Sequence, residues 1–92
     1  MQVNNYKHIT TAGTYELVAS SPGVSMNCYL EAVFINTAAG SANSITVQDG
    51  LGNTVAVRDG TQLGGKFDPD LALNGLVVIV GSGPGDITVV WQ

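Results

Sequence analysis

The chain has 92 residues, 45% of them hydrophobic and only 11% charged, with a formal net charge of −4 at pH 7. That length suits one small domain spanning 1–92. Its few basic residues exclude a generic nucleic-acid binder and argue against an anionic membrane surface as partner. The apolar fraction is too high for a disordered chain, and no apolar run nears the roughly 20 residues of a membrane-spanning helix.

Val, Ile and Thr make up 25 residues, and Gly adds 12 more, mostly between the β-branched runs. β-Branched side chains are stiff and pack well on a pleated sheet, so an all-β domain is expected. Residues 1–5 are polar and read as an N-terminal arm, either frayed or able to add as a strand to a neighbouring subunit. Met1 to Lys7 carries no charged segment leading into an apolar one, so the chain is expected to remain in the cytoplasm where it is made. Tyr6 to Thr10 is a first predicted strand and Thr14 to Ser20 a second. Ser21-Pro22-Gly23 is a turn, since Pro presets φ and Gly supplies positive φ.

Val24 to Asn36 has room for two strands or one bent one. In its second half Leu30, Ala32 and Phe34 alternate with Glu31, Val33 and Ile35, and both faces are largely apolar, as in a central strand covered on both sides. Thr37 to Asn43 is a loop. Ser44 to Gln48 and Thr54 to Arg58 form a predicted hairpin around Asp49-Gly50-Leu51-Gly52-Asn53, with Val55 and Val57 on one face. Gly64 to Asp70 is irregular, and Pro69 bars a central strand there. Leu71 to Leu73 is a short edge strand and Gly75 to Val80 a fully apolar one. Gly81-Ser82-Gly83-Pro84-Gly85 reads as a hairpin turn into the last strand, Asp86 to Trp91. There Ile87, Val89 and Trp91 share one face and Thr88 and Val90 the other.

Seven or eight short strands at such spacing predict a single antiparallel β-sandwich, jelly-roll-like. An immunoglobulin-like sandwich or small barrel is the alternative. Among the aromatic residues Tyr15, Phe34 and Phe67 read as core, Trp91 as a plug in the core or at a subunit contact, and Tyr29 as a sheet-face residue. Val78 and Val80 fall on one face of their strand and Val77 and Ile79 on the other, so two apolar faces must be hidden. Subunit contact is the economical way to hide the second. The candidate subunit or capsid interface is therefore Tyr6, His8, Val78, Val80 and Val90.

Signs of catalysis are sparse. His8 is the only histidine and Cys28 the only cysteine, so this chain alone offers neither a His/Cys zinc site nor an internal disulfide. His8 belongs to no nucleophile motif, and nothing near Cys28 supplies the positive field that would activate a thiolate. Cys28 reads as a small buried hydrophobe. Asp68 with Asp70, Asp49 with Asp59, and Asp49 with Asn53 are the oxygen pairs weighed for a calcium ion, but turn-forming Asp and Asn beside Gly explain the last without metal. The glycine-rich segment 81–85 has no following helix or lysine to cradle phosphate. No cofactor, metal site or catalytic residue is assigned, and the protein is expected not to be an enzyme.

Three stretches together resemble a known group. They are Tyr6-Lys7-His8-Ile9-Thr10 through Pro22-Gly23-Val24; Ile35-Asn36-Thr37-Ala38-Ala39-Gly40 leading to Ser44-Ile45-Thr46-Val47-Gln48-Asp49-Gly50; and Asn74-Gly75-Leu76-Val77-Val78-Ile79-Val80 with Gly85-Asp86-Ile87-Thr88-Val89-Val90-Trp91. In this order they resemble small β-sandwich structural proteins of tailed bacteriophages and prophages, of the capsid decoration or cement kind. Arg58 to Leu73 matches least. The resemblance implies a non-enzymatic virion protein, a homotrimer bound to the major capsid protein on the outer surface of the phage head. The alternative is a tail, fibre or baseplate module binding a host-surface glycan or protein.

Overall fold

The structure, a computed structural model, describes residues 4–37, 44–59, 66–67, 71–81 and 85–92, with the backbone alone described at 59, 66 and 67. The elements are β1 (Asn5–Ile9), β2 (Gly13–Val18), β3 (Cys28–Thr37), β4 (Ser44–Gln48), β5 (Thr54–Asp59), β6 (Lys66–Phe67), β7 (Leu71–Leu73), β8 (Leu76–Val80) and β9 (Asp86–Trp91). There is no helix among the described residues.

The strands form two antiparallel sheets. The first runs β1-β9-β3-β6, with β7 also on β3; the second runs β2-β8-β4-β5. Leu30 pairs with both Trp91 and Leu71, so β7 lies along the edge of β3 that β9 leaves open. With β6 and β7 counted as one interrupted strand, each sheet is four strands wide. First strand then pairs with last, second with second-to-last, third with the interrupted strand, and fourth with fifth. That nested pairing is a jelly roll. It differs from an immunoglobulin-like order, and among the described residues the outer edges of β1, β2 and β5 are unpaired, unlike those of a closed barrel.

The core lies between the sheets. Ile9, Leu30, Val33, Ile87 and Val89 come from the first sheet and Ile45, Val47, Leu76, Val78 and Val80 from the second. Period-2 alternation explains most of this pattern: β8 buries Leu76, Val78 and Val80, while Val77 and Ile79 turn outward. Tyr15, half-buried, packs against the core and donates its hydroxyl to the Thr11 carbonyl at 2.6 Å. Trp91 packs against the core as expected, whereas the Phe67 side chain lies outside the described residues.

Two expectations are corrected by the topology. Phe34 is not a core residue. The β3 register shifts between Leu30 and Ala32, and this bulge inverts the alternation so that Val33 and Ile35 point inward and Phe34 outward, half-buried. Gly81 to Gly85 does not close a hairpin. β8 belongs to the second sheet and β9 to the first, so this segment carries the chain from one sheet to the other. Residues 82–84 themselves, like 1–3, 38–43, 60–65 and 68–70, lie outside the described residues.

Strand boundaries shift for a related reason. β2 ends at Val18 and β3 begins at Cys28 because the intervening residues are held by asparagines at one end of the sandwich. Asn74 Nδ2 donates to the carbonyls of Ser21 (3.0 Å) and Val24 (3.2 Å), while its Oδ1 accepts from Ser21 N–H at 2.8 Å. Asn27 Nδ2 donates to the Ala19 carbonyl, and Asn27 Oδ1 accepts from Gly75 N–H, both at 2.8 Å. The β4–β5 loop joins them, Gly50 N–H donating to the Asn74 carbonyl at 2.8 Å. Gly75 has φ +82°, and a Cβ there would stand 2.6 Å from Gly50 Cα, so backbone meets backbone where no side chain fits.

Candidate functional site

The jelly roll leaves two broad sheet faces pointing away from the core, and they hold the functional candidates. On the first sheet the register aligns two outward rows. Tyr6 lies opposite Val90, and Val90 opposite Ala32. His8 lies opposite Thr88, and Thr88 opposite Phe34. Beyond them, Asp86 and Asn36 complete the face. Tyr6 is 73% exposed. The polar side chains are mutually ordered: His8 Nε2 meets Asp86 Oδ1, and Asn36 Nδ2 donates to Asp86 Oδ1 at 3.1 Å and to Thr88 Oγ1 at 2.9 Å. The Asn36 amide, and after it the His8 ring, hold the Asp86 carboxyl below its ordinary pKa, since both stabilise the charged form.

Tyr6, His8 and Val90 are thus neighbours on one face. Val78 and Val80, the other two interface candidates, are not available to a partner. They are 0% and 3% exposed, packed against the opposite sheet. Their strand is apolar on both faces, and the face assigned to a partner is the one that fills the core. Asn5 already pairs with Trp91, so the N-terminal strand of this chain adds to its own sheet.

The outer face of the second sheet is different in kind. Thr14, Ile79, Thr46 and Val57 are aligned across all four strands, and Glu16, Val77 and Gln48 form the neighbouring row. Val55 and Val57 flank the inward Ala56 and are 37% and 61% exposed. Glu16 is the one charged residue in these rows. The predicted shared face of Val55 and Val57 is therefore real, but it faces solvent.

Among the described residues the weighed metal and thiolate chemistry is not assembled. His8 has a carboxylate partner that sequence reading did not supply, and the Thr88 hydroxyl oxygen beside it accepts from Asn36 Nδ2. Cys28 is buried among core side chains on the other side of the sheet, its Sγ 3.5 Å from the Leu73 carbonyl, so it cannot meet His8. Burial pushes its thiol pKa up, which keeps it protonated and inert. Asp49 uses its carboxylate to close its own loop. Oδ1 accepts from Leu51 and Asn53 N–H at 2.9 Å and Oδ2 from Asn53 Nδ2 at 3.0 Å. These bonds, with the Asn53 side chain first, hold the Asp49 carboxyl below its ordinary pKa. Asp49 and Asp59 fall at opposite ends of the β4–β5 hairpin, because Ser44 pairs with Asp59 and Gln48 with Thr54. Asp68 and Asp70 lie outside the described residues. Among the described residues no three His, Cys, Asp or Glu side chains gather to hold a metal ion.

No family model matches the chain, and neither a curated protein nor a solved structure matches it.

Proposed function

We propose that this protein is a non-enzymatic structural component of a phage virion, a decoration or cement protein that assembles as a homotrimer on the outer surface of the head. The observation that carries the reading is the outer face of the second sheet. Two adjacent outward rows of Val, Ile, Thr and Gln, one of them crossing all four strands, with Glu16 as the one charge in those rows, are costly to leave in water and suited to burial between copies. β-Branched side chains also lose little rotamer freedom on being covered, which favours such contacts. The jelly-roll topology, shared by many capsid components, supports the same role.

A head surface repeats each contact many times, so weak single contacts sum to firm attachment. The net charge of −4 suits the outside of a head, away from packaged DNA. The partners in this reading are other copies of the chain and the major capsid protein, and the chain is made in the cytoplasm of the bacterial host.

Co-sedimentation with empty heads assembled from the major capsid protein of the same virion tests the role. Saturable binding that raises the temperature of head disruption is expected. Heads that pellet without the protein, at any ratio, contradict it.

A further inference from the structure

We infer that the outer face of the first sheet is a carbohydrate-binding platform for short neutral saccharides, formed by Tyr6, His8, Phe34, Asn36, Asp86 and Thr88. Tyr6 presents an exposed aromatic ring, the flat apolar surface on which the C–H face of a pyranose packs, with a hydroxyl at its rim. His8 follows two residues on, roughly 7 Å along the strand, and Asp86 and Asn36 lie a further two residues on. The row therefore runs from an aromatic stack to a carboxylate and a carboxamide, whose oxygens can accept from neighbouring hydroxyls, both hydrogens of the Asn36 amide being already used within the face.

Order in this row distinguishes it from an ordinary polar surface. Asn36 is fixed by two hydrogen bonds, to Asp86 and Thr88, and Asp86 is fixed in turn by His8. Side chains already held in one geometry lose less entropy on binding, so a weak ligand gains from them. Half-buried Phe34, opposite Thr88, extends the apolar floor beside them. The charge of the site selects the ligand class. Asp86 and the acidic chain disfavour anionic sugars and nucleic acid, leaving neutral saccharides.

The platform does not depend on the virion reading. It faces away from the second sheet and stays open whether or not that sheet is covered, so failure of either proposal leaves the other standing.

The test is a two-dimensional amide NMR titration of the full chain with lactose, maltotriose and cellotriose as probes. Saturable shifts are expected at residues 6–8, 34–36 and 86–88 with at least one probe, with affinity in the millimolar range. Tyr6→Ala, at an exposed position that leaves the core untouched, should weaken binding by about 10-fold or more, and Tyr6→Trp should restore it. Asn36→Ala should weaken it too, whereas Val57→Ser on the second sheet should not. Absence of saturable shifts with all three probes overturns the proposal. So do shifts confined to the second sheet, or binding that Tyr6→Ala leaves unchanged.

Discussion

The outer faces of the two sheets are built on the same pleat, yet their chemistry diverges. On the first, Tyr6, Val90 and Phe34 stand beside hydrogen-bonding side chains, and His8, Asp86, Asn36 and Thr88 are bonded to one another. On the second, Val77 and Ile79 of β8 and Val55 and Val57 of β5 are aliphatic, and Thr14, Thr46 and Gln48 provide polarity beside them. A surface whose polar groups are already ordered can meet water or a hydroxylated ligand without rearrangement. A surface of Val, Ile and Thr gains free energy only when water is removed from it. One sandwich thus carries one face suited to solvent and one suited to burial.

Moving a charge by one residue along β8 should break this comparison most sharply. Val78→Asp places an unpaired carboxylate in the core and should destabilise the fold by on the order of 4 kcal/mol or more. Ile79→Asp puts the same group on the outer face. It should leave thermal unfolding of the isolated chain nearly unchanged while abolishing association. Urea denaturation of the two variants side by side checks both, and comparable losses would mean that the two faces of β8 are not distinct.

The bulge in β3 gives the next effect. Leu30→Ala should cost about 2–5 kcal/mol, as for buried leucines generally, and Phe34→Ala less than about 2 kcal/mol because its ring is outside the core. If the order of these costs is reversed, the register shift between Leu30 and Ala32 is wrong. Gly75→Ala tests the asparagine-held end of the sandwich. Its positive φ and the 2.6 Å approach to Gly50 Cα should make the change cost about 1–3 kcal/mol in chemical denaturation.

The smallest effect separates the two regions by pH. Asp49 and Asp86 both have folded-state pKa values below their ordinary ones. Their contribution is therefore complete above the ordinary aspartate value of about 3.9 and is lost as pH falls through the folded values. The melting temperature should fall with acidification below about pH 4, and Asp49→Asn and Asp86→Asn should each reduce that slope. Asp86→Asn should in addition disturb His8 and Asn36 amide signals, while Asp49→Asn should disturb only the β4–β5 loop.

Much of the fold is legible in the sequence because period-2 alternation and Gly- or Pro-marked turns are local signals. The alternation of Ile87, Val89 and Trp91 against Thr88 and Val90, and the hairpin around Asp49, follow from them directly. Pairing between distant strands does not. A hairpin turn and a sheet-to-sheet connection use the same residues, so 81–85 alone cannot reveal that β8 and β9 part company. A bulge is equally invisible in a run apolar on both faces. Leu30, Ala32 and Phe34 look like one face until Trp91 and Val90 fix the register.

The site follows the same division. Tyr6, His8 and Val90 are legible as outward residues of two strands, but their juxtaposition depends on first pairing with last. The link between His8 and Asp86 spans nearly the whole chain, and no spacing rule reaches that far. Val78 and Val80 were indistinguishable from Val77 and Ile79 by composition, and only the position of the opposite sheet decides which pair is core.

Light scattering on a size-exclusion column, at low and at high salt, tests the central claim most directly: that the outer face of the second sheet is covered by other copies of the chain. A mass of three chains that does not change with salt, and falls to one chain in Val57→Asp, is the predicted result. A wild-type protein that elutes as a stable single chain under both conditions would contradict it.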